Sequence, residues 1–263
     1  MHDKLYSPIP DIGAYLNRLQ VDAPDQADFE YLDNLIYIHQ QKVVFENMDS
    51  YEFHKPVSLE IPAVFEKIVT NHRGGYCFEL NALFTQLLKD LGYHAYGCMG
   101  RIVRNKTEVP PVLHRVNVVE LDGKKYFYDV GFGGPMPAGL LLIEDGFSRT
   151  MHGETYHVKK TDEYWWTVSR TTSSGEIENV LQFYPMPQHN VTFIPNNEYC
   201  GCCPDSIFTQ IPFLNRRTAD GSIGVMGNTL TIIENGTVTK TEIRDKNELY
   251  EIMEKYFELK LPL

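Results

Sequence analysis

The hydrophobic period of the chain changes once, at Gly92, and that change bounds what it can fold into. Upstream, apolar residues recur every three or four positions. In "CFELNALFTQLLKDLG", Leu80, Leu83, Phe84, Leu87, Leu88 and Leu91 fall at i, i+3, i+4, i+7 spacing, the stripe of a helix with one buried face. Gly92 stands where a left-handed C-terminal cap is expected. "FEYLDNLIYIHQQKVV", with Phe29, Leu32, Leu35, Ile36 and Ile38, and "SLEIPAVFEKIVTNH" predict two more helices. Downstream the period is two and turn residues are frequent. "HAYGCMGRIV", "HRVNVVEL", "KKYFYDVGF", "ETYHVKK", "YWWTVSR" and "NVLQFY" read as short strands of an antiparallel sheet or small barrel. From about Pro195 the sequence reads as loop-rich. It then gives the strands "SIGVMG", "TLTIIEN" and "TVTKTEI" and closes on the helix "KNELYEIMEKYF". The prediction is an α+β chain with a helical part over 1–90, a β part over 91–195 and a mixed part over 196–263.

A hydrophobic content of 43% with 12% aromatics is enough to bury a sizeable core. The formal net charge of −11 argues against broad affinity for nucleic acid or an anionic membrane. A small anionic ligand would need a local cluster of positive charge. The opening "MHDKLYSPIPDIGAYL" lacks the uninterrupted apolar core of a signal peptide, and no run approaches the roughly 20 apolar residues of a membrane span. A cytoplasmic protein is expected. Thiols stay reduced there, so Cys77, Cys98, Cys200, Cys202 and Cys203 are not read as a disulfide framework, and the Asn-x-Thr sequons at Asn105, Asn190 and Asn235 are read as chance matches.

Cys77 opens the striped helix, directly after "RGGY". A thiol in a first helical turn faces unpaired backbone N–H groups and the positive end of the helix dipole, both of which favour thiolate. Gly74 and Gly75 let the chain fold tightly there. A small buried apolar residue is the competing reading, and this stretch alone leaves the two level. A second stretch weighs on the choice. In "LHRVNVVELDGKKYFYDVGFGG", Asp122-Gly123 between two alternating runs is a two-residue hairpin signal. That turn sets Leu121 against Lys124, Glu120 against Lys125, Val118 against Phe127 and Val116 against Asp129. His114 then lies on the face of Val116, diagonal to Asp129 and within reach of it. Asp129 would fix the tautomer of His114, and the free ring nitrogen would serve a nucleophile.

"RGGYCFELN", the histidine that follows it and "DVGFGG" resemble the arylamine N-acetyltransferases, also called N-hydroxyarylamine O-acetyltransferases. "HQQKVVFENMD" resembles that family's upstream segment and "PDSIFTQ" a later one, so the likeness runs the full length in order. It implies a helical bundle, a central antiparallel β-barrel and a C-terminal α/β lid, with a core like that of cysteine proteases and transglutaminases. Carried over residue by residue, it implies Cys77 as nucleophile, His114 as base and Asp129 as orienting acid. Phe132 falls on the acceptor-pocket aromatic, Gly131, Gly133 and Gly134 on a loop near the coenzyme, and Arg73, Glu46 and Asn81 on supporting polar positions. The implied cosubstrate is acetyl-CoA, the implied acceptors are arylamines, arylhydrazines and N-hydroxyarylamines, and no metal is implied. Three stretches depart from the pattern: "RVNVVE" where a more uniformly apolar strand is expected, Val43-Val44 where proline is common, and the cysteine-rich "CGCCPDSIF".

The same triad would serve an amide synthase or a transglutaminase-like acyltransferase or hydrolase. Cys200, Cys202 and Cys203 lack the usual C-x2-C spacing of a zinc site and are read as loop residues, with Cys98 a buried strand residue. Arg101, Arg104, Lys106, Arg216 and Arg217 are candidates for coenzyme phosphates, against the commoner role of solvated charges. Oligomeric state is left open.

Overall fold

Aspartates start three of the helices. In the computed structural model, which describes residues 2–261, α1 (Ile12–Leu19), α2 (Phe29–Lys42) and the last helix begin at Asp11, Asp28 and Asp245. Each carboxylate accepts a backbone N–H of the first turn, satisfying a donor that no helical carbonyl can reach. β1 (Phe45–Glu46), α3 (Met48–Tyr51) and α4 (Ile61–Phe65) follow, and α4 runs on through a π-helical turn at Glu66–Thr70. α5 (Cys77–Asp90) is the central helix, buried along most of its length. Gly92 follows it with φ +93, which suits a residue without a Cβ.

Eight strands then form one antiparallel sheet. They are β2 (His94–Ile102), β3 (His114–Leu121), β4 (Lys124–Tyr128), β5 (Leu141–Leu142), β6 (Phe147–Met151), β7 (Glu154–Lys160), β8 (Trp166–Thr171) and β9 (Ile177–Tyr184). Their order is β5-β4-β3-β2-β9-β8-β7-β6. β5 also lies against β6 and β7, so the sheet curls into a nearly closed barrel. After α6 (Ile194–Cys202) and α7 (Ile207–Gln210) come β10 (Phe213–Thr218), β11 (Gly221–Met226), β12 (Thr229–Glu234), β13 (Thr237–Glu242) and α8 (Lys246–Phe257). A second sheet runs β1-β10-β11-β12-β13. The buried apolar residues fall into three clusters: around α5, inside the barrel, and between the second sheet and α8. The architecture is α+β, as the change of period implies.

Several elements differ from the sequence reading. The stretch after Pro195, expected to be loop, carries α6 and α7. Pro195 sits in the first turn of α6, where its missing N–H costs nothing, and the polar, cysteine-rich sequence offers no apolar stripe to announce a helix. β1, β5, β6 and β10 were not anticipated. β1 and β5 are two residues each, and β6 and β10 carry too many polar residues to alternate cleanly. β3, expected to bury one face, buries both: Val116 and Val118 point into the barrel, while Arg115, Asn117 and Val119 face α5. The hairpin turn has positive φ at both Asp122 and Gly123, and Leu121↔Lys124 through Val118↔Phe127 pair as expected. The ladder stops at Asn117↔Tyr128, one rung short of the expected Val116–Asp129 pair.

The turn before α5 is held by backbone. The Gly75 N–H donates to the Val44 carbonyl at 3.2 Å and the Glu46 N–H to the Gly75 carbonyl at 2.9 Å. A Cβ on Gly74 would stand 2.1 Å from the Val44 carbonyl oxygen, so a side chain there must force β1 away. Gly74→Ala is expected to cost about 1–3 kcal/mol or more, read by denaturant unfolding. A midpoint equal to the parent's would contradict the close approach.

Candidate active site

α5, β3 and the end of β4 bring one residue each to a common point. Cys77 is the first residue of α5, His114 the first of β3, and Asp129 follows the last residue of β4. His114 Nε2 lies 2.6 Å from Asp129 Oδ2. Its other nitrogen, Nδ1, is left for Cys77, and imidazole and sulfur each shift the titration of the other. All three side chains are buried, and Asp129 is wholly out of water. Asp129 Oδ1 accepts from Asn81 Nδ2 and from the Gly131 N–H, both at 2.8 Å. The carboxylate therefore has donors on both oxygens, as a buried acid requires.

Asn81, one turn along α5 from Cys77, locks this arrangement. Its Nδ2 also donates to the Arg115 carbonyl at 2.7 Å. Its Oδ1 accepts from Asn117 Nδ2 at 2.7 Å and from the Val130 N–H at 3.0 Å. With its hydrogen-bonding capacity filled by groups on β3 and beyond β4, it fixes the helix against the strands.

The electrostatics follow from burial and contact. Burial alone would lower the pKa of His114, but the adjacent Asp129 carboxylate and the Cys77 sulfur outweigh it and carry the imidazole up to about 10. Burial pushes the Cys77 thiol up, while the neighbouring His114 charge pulls the other way. Imidazolium and thiolate thus each favour the other's charged form, with the Asp129 carboxylate supporting the imidazolium.

Phe132 packs edge-on to His114 with ring centroids 5.7 Å apart and is half-buried. A Cβ on Gly131 would stand 2.9 Å from the Cys77 Cα, and one on Gly133 would stand 2.6 Å from the Phe45 ring and 2.9 Å from Phe213. Those glycines let the chain pass between nucleophile and aromatics. Phe45, Phe208 and Phe213 form an aromatic group here that sequence reasoning missed, because Phe213 lies on a strand it did not foresee.

Behind the nucleophile, Arg73 Nη2 reaches Glu46 Oε1 at 2.8 Å and Asp49 Oδ1 at 3.0 Å. Lys67 Nζ lies 2.7 Å from both Asp49 and Glu79 and 3.8 Å from Glu46. Asp49, Lys67 and Glu79 were not singled out in the sequence, although Glu79 stands at the N3 position of α5, where it accepts the Tyr76 N–H at 3.1 Å. The four arginines offered for coenzyme phosphates have internal partners: Arg101 bonds Gln182, Arg104 bonds Glu178, Arg216 bonds Glu258, and Arg217 bonds Gln40 and Glu154. Lys106 is exposed. Cys98 is buried on β2. Cys200 is buried on α6, not in a loop, with Cys202 exposed and Cys203 half-buried.

A family model described as N-acetyltransferase matches residues 28–263. The arylamine N-acetyltransferase of Escherichia coli K12 is 30% identical over 254 residues, 95% of this chain and 89% of that protein. The chain belongs to the arylamine N-acetyltransferase family. It is an acyltransferase by that membership. A second family member, the Salmonella typhimurium arylamine N-acetyltransferase / N-hydroxyarylamine O-acetyltransferase, is 28% identical over 252 residues, 94% of this chain and 88% of that one. The solved arylamine N-acetyltransferase of M. tuberculosis superposes with a TM-score of 0.89 at 25% identity, covering 94% of this chain and 93% of its own. The Mycobacterium marinum enzyme in complex with CoA gives 0.88 at 26% identity, covering 94% and 92%.

The cluster behind the nucleophile sets three carboxylates against two cations, so one proton would balance it. Burial raises Glu79 to about 7, with Lys67 opposing. Its folded-state value exceeds its ordinary 4.5, so the folded chain holds that proton more tightly. The resulting stability is complete below about pH 4.5 and is lost as pH rises through about 7. Thermal unfolding of the parent and of Glu79→Gln across that window is expected to show the parent losing more stability. Parallel curves would contradict the assignment.

Proposed function

We propose that the chain transfers an acetyl group from acetyl-CoA to the nitrogen of an arylamine or arylhydrazine, or to the oxygen of an N-hydroxyarylamine, by a ping-pong route through Cys77. The row Cys77–His114–Asp129, with 2.6 Å between imidazole and carboxylate, carries this reading. His114 takes the proton of Cys77, and the sulfur attacks the thioester carbonyl. The tetrahedral intermediate collapses, the C–S bond to coenzyme breaks, and CoA leaves as the thiol with the proton from His114. The acceptor nitrogen or hydroxyl then attacks the acetyl-cysteine, its proton passes to His114, and the Cys77 thiolate returns. Because α5 begins at Cys77, the N–H groups of Cys77 and Phe78 have no intrahelical acceptor and are the proposed oxyanion donors.

In this reading Phe132 lines the acceptor site, Gly131 and Gly133 admit substrate beside the sulfur, and Arg73, Glu46 and Asn81 brace the machinery without reacting. The helical part at 1–90 supplies the nucleophile, the barrel at 91–195 the base and acid, and 196–263 acts as a lid. No metal enters the proposed chemistry. A cytoplasmic setting, where the thiols stay reduced, fits the reading. Among the described residues no helix is long and apolar enough to cross a membrane.

Incubation with acetyl-CoA is expected to add one acetyl group, read by intact mass, and the label is expected to vanish in Cys77→Ala and discharge on adding an aromatic amine. Labelling that survives the loss of Cys77 would overturn the reading. A second expectation concerns the tautomer. In Asp129→Asn the donors of Asn81 and Gly131 hold the amide oxygen, so the amide NH2 must face His114 Nε2. That places the imidazole proton on Nδ1, toward the sulfur, where it cannot act as base. Turnover is expected to fall by about 10³–10⁴-fold with the fold intact, measured by steady-state kinetics alongside circular dichroism. A loss of less than tenfold would exclude this role for Asp129.

A further inference from the structure

Between Tyr128 and Leu141 the chain leaves the sheet and takes no regular structure. This stretch, "DVGFGGPMPAG" and the leucine after it, carries Asp129 and Phe132. With no ladder of its own, its course has to be imposed by side chains from elsewhere. α2 supplies much of that hold. Asp33 and Gln40 lie at i and i+7, on one face of the helix. Asp33 Oδ1 accepts the Leu140 N–H at 2.7 Å. Gln40 is 1% exposed, and its Nε2 donates to two carbonyls at once, Asp129 at 3.0 Å and Pro137 at 2.8 Å. A single amide nitrogen thus joins the two ends of the loop 129–137.

The amide is oriented by Arg217, which arrives from β10 in the second sheet. Its Nε donates to Gln40 Oε1 at 2.8 Å, its Nη1 to Glu154 Oε2 at 2.9 Å, and its Nη2 to the Met136 carbonyl. All three guanidinium nitrogens are therefore committed, in a fork that a lysine cannot reproduce. With Oε1 held by Arg217, Gln40 must turn its NH2 toward the loop. The flipped amide would set an acceptor against two carbonyls and a donor against a cation. The loop closed in this way carries Phe132, whose ring stands edge-on to His114 with centroids 5.7 Å apart. That ring also folds back over its own backbone, since a Cβ on Gly134 would stand 2.7 Å from it. Where the ring stands relative to His114 thus follows from the course of the loop.

We propose that Gln40 and Arg217 are positioning residues for acceptor choice, a clasp that closes the loop 129–137 at the span that holds Phe132 against His114. The inference rests on the reading of Phe132 as a wall of the acceptor site. The partners of Arg217 are not groups of the triad, so without it the Asp129 carboxylate keeps Asn81, the Gly131 N–H and His114. Acetylation of Cys77 then proceeds as before, and the change falls on the acceptor step. Freed at Met136 and Gln40, the loop relaxes and the ring withdraws, which favours a larger amine over a smaller one.

Two measurements on the full chain test it. One is the single-turnover rate of Cys77 acetylation by acetyl-CoA, read by intact mass. The other is kcat/KM for aniline and for aminofluorene. Arg217→Met is expected to keep the parent's acetylation rate and KM for acetyl-CoA, while the ratio of kcat/KM for aminofluorene over aniline rises about tenfold. Arg217→Lys keeps the charge opposite Glu154 but loses the fork, and is expected to follow Arg217→Met. A purely structural charge would be restored by lysine, and its loss would lower the unfolding temperature with the ratio unchanged. If Arg217→Met does not fold, Gln40→Glu decides. It still accepts from Arg217 but has no N–H for the two carbonyls, and is expected to raise the ratio as well. A folded variant with the parent's ratio overturns the proposal, as does a change confined to the KM for acetyl-CoA, which would make Arg217 a coenzyme contact. Phe132→Ala with the parent's ratio would instead overturn the reading beneath it, so the two failures are distinguishable.

Discussion

The 2.6 Å contact between His114 and Asp129 depends on two chain segments meeting α5 at its first turn, and much of the fold can be understood as what keeps them there. The hairpin of β3 and β4 sets the rungs up to Asn117↔Tyr128. Beyond that point Asp129 leaves the ladder and its carboxylate turns to the helix side. A continued ladder would have tied its backbone to Val116. Leaving one rung unmade frees the chain to bring the carboxylate to Asn81, the Gly131 N–H and His114 together. The Asp129 carbonyl, lost to the sheet, is taken by Gln40 Nε2 at 3.0 Å, so the departure strands no buried acceptor.

That seam is polar where a core is usually apolar, and its side chains are closely matched. Thr85 donates to Asn117 Oδ1, Asn117 Nδ2 donates to Asn81 Oδ1, and Asn81 Nδ2 donates to Asp129. The Val130 N–H can only donate and the Arg115 carbonyl can only accept, so the backbone alone dictates which way the Asn81 amide lies, and Asn117 must follow. A buried network of this kind is specific because any other orientation leaves groups unpaired. Asn117 and Arg115, which break the apolar character of β3 in the sequence, are thus the residues through which that strand meets α5.

What the sequence could reveal follows from the range of each interaction. The stripe of α5, the Gly92 cap and the Asp122-Gly123 turn are local, and period and turn chemistry reach them directly. The register from that turn was enough to bring His114 toward Asp129, because a two-residue hairpin leaves little freedom. The elements that went unforeseen are held by distant partners. β1 is two residues long and exists because β10 pairs with it. α6 lacks an apolar stripe and is secured by Asn197, which accepts from Tyr76 and donates to the Val57 carbonyl. The charged group behind Cys77 draws Asp49, Lys67 and Glu79 from three segments, and no spacing links them. The arginines offered for phosphates were visible as charges, but their commitments to Gln182, Glu178, Glu258 and Glu154 belong to tertiary structure alone.

β1 also decides how the last part of the chain relates to the nucleophile. One of its neighbours is β10, through Phe45↔Asn215 and Glu46↔Leu214. The other is Gly75, through a parallel bridge at Phe45. The Glu46 carboxylate meanwhile holds Arg73, and the Phe45 ring packs on Phe213 from β10. The turn before Cys77 and the second sheet therefore share a strand of two residues. A displacement of that sheet as a rigid cover would have to break either the β1–β10 pairs or the β1–Gly75 bridge, and the second would carry the nucleophile's turn with it. The packed rings of Phe45 and Phe213 are accordingly built into the same backbone that positions the sulfur, so that aromatic group and the nucleophile's turn cannot shift independently.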